Sequence, residues 1–180
     1  MLLFGLCGAA SCRLFSEAHG WDAFLLPIPF GVVSWFLFLR SAKAILVVPL
    51  HVLVWAIAYY IAMVLAVSIT PQSDYFPMCA AGFVGGAGVF LASGIADERL
   101  LSWRCLLGAC LVGCTAALPF GLWLAEKHAA IRLSMNAHED TLQPLRLQCS
   151  YAIWQAGVGT YLYTVCTVLK RKADSETANR

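Results

Sequence analysis

Four long stretches of this sequence contain no charged residue, and they limit the folds that the chain can adopt. They are residues 44–69, 78–96, 105–125 and 149–169. An α-helix rises about 1.5 Å per residue, so about 20 residues cross the hydrocarbon core of a bilayer, which is roughly 30 Å thick. Each stretch is close to that length or above it. Each therefore predicts a membrane-spanning helix.

Two further segments near the N-terminus are apolar but less regular. Residues 23–39 are shorter and carry Pro27 and Pro29 near their start, where a helix tolerates proline. Residues 1–22 begin with an apolar run that Arg13 interrupts. We expect this segment to be a retained helix that either lies in the membrane interface or crosses as an extra span.

Composition supports a membrane protein over a soluble one. Apolar residues make up 61% of the 180, and charged residues only 12%. Soluble domains have about 45–50% apolar and about 25% charged residues. The predicted fold class is therefore all-α: a polytopic membrane bundle of five transmembrane helices, or six if the first segment also crosses. The chain is predicted to be one integral membrane domain, with residues 23–169 forming the bundle and 170–180 a basic tail whose polar end is unstructured.

Basic residues are distributed unevenly between the junctions that join the apolar stretches. If the junctions alternate between the two sides of a membrane, eight of the twelve basic residues share one side: Arg40, Lys43, Arg99, Arg104, Lys170, Arg171, Lys172 and Arg180. An excess of Lys and Arg marks the cytoplasmic side. We therefore expect a multi-pass protein of the cell membrane, taken to be a bacterial inner membrane. The C-terminus is then cytoplasmic, and residues 126–148 form a short segment on the outer face.

Small residues recur at helical spacing inside three of the stretches. The segment GFVGGAGVFLASG, residues 82–94, has five glycines, but position 91 is Leu and no Lys occurs between residues 44 and 126. Those facts exclude a dinucleotide loop and a phosphate loop. Four-residue spacing of small residues instead favours close contact between membrane helices. The predicted packing residues are Gly82, Gly85, Gly86, Ala109, Gly113, Ala152, Ala156 and Thr160.

Few polar groups lie well inside the apolar stretches. His51 is the only histidine there, and Trp55 and Tyr59 follow it at four-residue steps. Gln155 lies six residues into the last stretch. Polar groups within a membrane either line a functional path or bond to a neighbouring helix. The sequence leaves both uses open, so His51, Tyr59 and Gln155 form a candidate polar path.

Eight cysteines are present, without the C-x-x-C pairs or spacings of a zinc site. Cys79 and Cys149 fall at the predicted outer ends of two spans and form a candidate disulfide, although cysteine also serves as a small apolar residue. Three of the four histidines, His19, His128 and His138, fall on the predicted outer face at undiagnostic spacing, so we expect no metal site and no cofactor. Residues 126–137 are expected to extend the preceding helix, with Pro144 in the first turn of the next helix.

No nucleophile with a base and no carboxylate pair lies in the apolar stretches, so the sequence does not predict an enzyme. The predicted function is that of an accessory or interaction protein of a membrane complex, for instance one that gives immunity or inhibits. The alternative is a component of a transporter or channel for an ion or small solute, working as an oligomer. The expected partners are the lipid bilayer and another membrane protein or a second copy. Nucleic acid is not expected, because the outer segment has no excess of basic residues.

Overall fold

The fold is known from a computed structural model that describes residues 2–15, 28–36, 45–69, 75–133 and 143–178. Over these residues the chain is all-helical and contains no strand. There are six α-helices: α1 Leu2–Phe15, α2 Ile28–Ser34, α3 Val47–Ile69, α4 Tyr75–Ser93, α5 Trp103–Leu133 and α6 Gln143–Ala178. A 3-10 turn, Glu98–Leu101, joins α4 to α5.

Proline and capping residues explain several of the helix starts. Pro49, Pro77 and Pro144 each lie within the first three residues of their helices, where the backbone N–H has no partner inside the helix. Asp97 caps the 3-10 turn, since its side chain accepts a hydrogen bond from the Arg99 backbone N–H. This short junction, residues 94–102, reverses the chain between α4 and α5.

Helix contacts follow the order of the chain, and α1 closes the bundle by packing along α6. Gly82 lies against Gly113 and Gly86 lies against Ala109, so α4 and α5 are antiparallel. Gly108 meets Tyr161 and Gly157 meets Val112, which gives the same antiparallel relation between α5 and α6. A connection of only five residues makes α3 and α4 antiparallel as well. It follows that α3 and α6 also run in opposite directions.

The centre of the bundle is apolar and aromatic. Phe30, Phe90, Leu100, Val158 and Leu162 are each at most 2% exposed and come from α2, α4, the junction and α6. Large apolar side chains also cover the outside of the described helices. Among the most exposed are Leu6, Phe36, Leu53, Leu91, Leu111 and Val168.

One described helix is long and apolar enough by itself to cross a membrane, over residues Phe76–Ser93 with mean hydropathy 1.6. Shorter apolar stretches occupy Val47–Ala58 and Trp103–Pro119. The structure therefore confirms the all-α prediction, while the predicted bundle of five spans is not confirmed. The described helical part of the 23–39 stretch, α2, has 7 residues, which is about 10 Å of helix.

Of the two long helices, α5 extends as the sequence predicts, whereas α6 continues beyond its predicted end. Helix α5 continues through Pro119 to Leu133, so the expected extension beyond residue 126 is present up to that residue. The remaining residues of that prediction, 134–137, lie outside the described ranges. Helix α6 continues to Ala178, which corrects the expectation of an unstructured tail after Lys172. Lys, Arg, Ala and Glu favour helix, and a helix that is already formed extends at little cost.

Candidate functional site

The closest helix–helix contact in the described structure lies between α4 and α5. A Cβ atom added to Gly82 would overlap the Gly113 carbonyl oxygen and come within 2.7 Å of the Ala117 Cβ. A Cβ on Gly86 would overlap the Ala109 carbonyl oxygen, and one on Gly113 would overlap the Gly82 carbonyl oxygen. The two backbones are therefore in direct contact. Only glycine at these positions permits it.

The other predicted packing residues lie at different internal contacts. Gly85 faces Trp154 of α6, whose Cζ2 atom would be 2.9 Å from an added Cβ. Ala152 and Ala156 lie beside Gly5 of α1. Thr160 has a buried hydroxyl without a hydrogen-bond partner among the described residues. All four residues are therefore inside the bundle rather than on a free surface.

His51 occupies the middle of the bundle and is only 2% exposed. The edge of its ring meets Phe30 with ring centroids 5.4 Å apart, and its Nδ1 atom lies against Gly31 of α2. The ring also lies beside the backbone of Val89 in α4, at a geometry that makes no hydrogen bond. Neither ring nitrogen has a hydrogen-bond partner within the part of the chain that the structure describes.

Gln155 of α6 lies at the level of His51 in the bundle interior. The rings of Trp55 and Tyr151 touch at 4.8 Å between centroids. One helical turn away, on the same faces, are His51 and Gln155, since residues four apart lie on one side of a helix. Because α3 and α6 are antiparallel, these two side chains come to the same level. Gln155 is fully buried, and its amide has no hydrogen-bond partner among the described residues.

Two serines are also buried inside the bundle. Ser34 of α2 and Ser93 of α4 are fully buried, and their hydroxyls have no hydrogen-bond partner within the described ranges. We call His51, Gln155, Ser34 and Ser93 the polar core. Buried polar groups are nearly always satisfied by protein or water, so four unpaired side chains in one bundle are unusual. Tyr59 belongs to the predicted path, but its side chain lies outside the described part of the structure.

An apolar groove of about 440 Å³ runs on the outside of the bundle between α3 and α4. Its floor is formed by small, more buried side chains, Ala87 and Ala92. Its rims are formed by large, exposed side chains, Leu53, Ile57, Phe83 and Leu91. On α4 this stretch covers about 12 Å, from residue 83 to residue 91. The groove is separate from the polar core, which lies inside the bundle.

The candidate disulfide between Cys79 and Cys149 is not formed in this structure. Both cysteines are free thiols. The neighbour of Cys79 is instead Cys114 of α5. The direct contact of α4 with α5 produces this pairing, while Cys149 is exposed near the start of α6.

Charge in the described side chains is confined to the junction, the first turn of α5 and the end of α6. Arg99 donates hydrogen bonds to both carboxylate oxygens of Asp97, at 2.8 and 2.9 Å, and to the Leu169 carbonyl oxygen at 3.2 Å. The hydrogen bonds from the Arg99 side chain hold the pKa of the Asp97 carboxyl below its ordinary value. The contact with Leu169 puts the junction and the Lys170 region at one end of the bundle, which we call the charged end.

Sequence reasoning missed several residues that shape these sites. Gly31 makes room for His51, Gly88 for Val54, and Gly159 for Phe4. Gly31 and Gly159 have no small residue four positions away that would have marked them, whereas Gly88 has Ala92 four residues later. Within the described residues, no group of three His, Cys, Asp or Glu side chains is placed to hold a metal ion. The histidines of the outer segment lie outside the described side chains.

These features define an all-α protein: one helical bundle with a glycine-mediated contact, a buried polar core and an external apolar groove. No family model, curated protein or solved structure matches this chain.

Proposed function

We propose that this chain is an integral membrane protein that acts as an accessory or interaction subunit, without catalytic chemistry of its own. The proposal that the protein lies in a membrane rests on the distribution of apolar and charged side chains on the surface of the bundle. Exposed Leu, Ile, Val and Phe residues occur on each described helix, whereas the described charged side chains lie only in residues 97–104 and 170–176. Water would strongly disfavour so large an apolar surface, and lipid would not.

The bound partner, in this proposal, is a transmembrane helix of another membrane protein that docks in the α3–α4 groove. The small-residue faces do not serve this purpose, because α1, α4, α5 and α6 already use them against one another. The groove offers what helix association in lipid requires, namely a floor of small residues between larger rims. The basic end then faces the cytoplasm by the positive-inside rule.

Filling the groove is expected to weaken partner binding without unfolding the protein. Ala87→Trp places an indole in the groove, and we expect at least about a tenfold loss of binding, or roughly 1.4 kcal/mol. The measurement is quantitative mass spectrometry of chains that co-purify at fixed stoichiometry in mild detergent. Thr115→Trp is the matched control, because Thr115 is exposed on α5 outside the groove. Equal recovery from both variants contradicts the groove as the docking site.

A second function is favoured by one observation, the polar core. His51 and Gln155 come to one level of the bundle, and Ser34 and Ser93 are fully buried as well. Unpaired polar side chains inside a membrane bundle are characteristic of ion and proton pathways. The alternative is therefore a transporter or channel component for an ion or small solute.

Liposome flux measurements distinguish this alternative. If the polar core conducts, purified protein in liposomes should dissipate an imposed proton or K⁺ gradient faster than protein-free liposomes do. His51→Leu and Gln155→Leu should each reduce that flux at least about tenfold, because each removes a hydrogen-bonding group from the path. Thr115→Val, on the exposed face of α5, should leave it unchanged. Flux no faster than in empty liposomes excludes conduction of these ions.

A further inference from the structure

Two cysteine thiols meet where α4 and α5 approach most closely. Cys79 lies one helical turn before Gly82, and Cys114 directly follows Gly113. The two side chains are neighbours, and both are only partly buried. No other pair of the described cysteines is drawn together by a backbone contact of this kind.

The backbone spacing at this place is what makes a covalent link accessible. Packed helices are usually about 8–10 Å apart, whereas a disulfide requires Cα atoms about 4.4–6.8 Å apart. Here a Cβ atom added to Gly82 would lie 2.9 Å from the carbonyl carbon of Gly113. A Cβ atom added to Gly113 would lie 3.0 Å from the carbonyl carbon of Gly82. The glycines therefore bring the adjacent cysteines closer than ordinary helix packing does.

We propose that Cys79 and Cys114 are a redox pair that closes a disulfide between α4 and α5. The oxidant is a disulfide, either small or carried by a protein. One thiolate attacks it and displaces a thiolate, forming a mixed disulfide, and the second cysteine then attacks the mixed disulfide and releases the other half. The two cysteines lose two electrons and two protons, and the oxidant becomes two thiols.

The position of the pair suits this chemistry. Cys79 is in the first turns of α4, which begins at Tyr75, so the pair lies away from the charged end of the bundle. The orientation predicted from basic residues puts that side outside the cytoplasm, where disulfides persist. Closing the bond fixes the α4–α5 crossing covalently.

Thiol mapping of the full chain tests this proposal. The detergent-purified protein is reduced with dithiothreitol, freed of reductant and incubated with oxidised glutathione. Remaining thiols are then alkylated, and the chain is analysed by intact and peptide mass spectrometry. We expect two of the eight thiols to resist alkylation without a glutathione adduct, and the peptides containing Cys79 and Cys114 to be linked.

Single variants separate this pair from other cysteines. Cys79→Ala and Cys114→Ala should each lower the linked fraction at least about tenfold and leave a glutathione adduct on the remaining thiol. Cys110→Ala is the matched control, because Cys110 lies one turn from Cys114 on the same helix, and it should still form the link. Eight alkylated thiols in the unaltered chain, or a link from Cys79 to Cys149, overturns the proposal, and this holds even if a variant fails to fold.

Discussion

Gly113→Ala is expected to destabilise the protein by about 2 kcal/mol, although alanine is the better helix former. The added methyl group would overlap the Gly82 carbonyl oxygen, and a backbone atom cannot move aside as a side chain can. Overpacking of this kind costs about 1–3 kcal/mol, and we take the upper end because α4 and α5 must separate. Alanine offsets about 1 kcal/mol of this steric cost, because it favours the helix more than glycine does. The steric cost therefore dominates.

This prediction is measured as the midpoint of thermal unfolding in mild detergent. A chain of this size shifts by about 2–4 °C per kcal/mol, so Gly113→Ala should lower the midpoint by about 4–8 °C. Gly5→Ala is the matched control, because its added Cβ would lie 3.8 Å from the Ala156 Cβ, an ordinary contact. It should be neutral or slightly stabilising. Equal midpoints for the two variants mean that α4 and α5 do not touch through Gly113.

Leu111→Arg is expected to cost about 2.5–3.5 kcal/mol if its face of α5 lies in lipid. Leu111 is 56% exposed and eight residues after Trp103, which is about 12 Å along the helix. At an exposed site in water, the same substitution changes the free energy of unfolding by no more than about 0.5 kcal/mol. This single substitution therefore separates a membrane bundle from a soluble one.

Membrane content after alkaline washing, together with the unfolding midpoint in detergent, measures the effect. Val168→Arg is the control, since Val168 is 58% exposed but lies two residues before Lys170 at the charged end. An arginine there reaches the interface with its long side chain, so the variant should behave like the unaltered protein. A neutral Leu111→Arg, in a protein that stays soluble without detergent, removes the membrane proposal.

The helical content was accessible from the sequence because it depends on local features. Apolar runs without charge and early prolines such as Pro49 and Pro144 mark where helices form and start. The contact of Gly82 and Gly86 with α5 follows a four-residue repeat that the sequence displays. The role of Gly31 beside His51 has no such repeat, since it depends on which helix passes beside it.

Pairing between helices was decided by the tertiary structure. The sequence contains eight cysteines at helix positions, but only the antiparallel contact of α4 and α5 brings Cys79 to Cys114 rather than to Cys149. The packing of α3 and α6 likewise brings His51 and Gln155, which are 104 residues apart, to one level of the bundle. A helix forms from hydrogen bonds between residues four apart, so its signals are local. Contacts between helices depend on the register and rotation of two separate segments, which neither segment specifies alone.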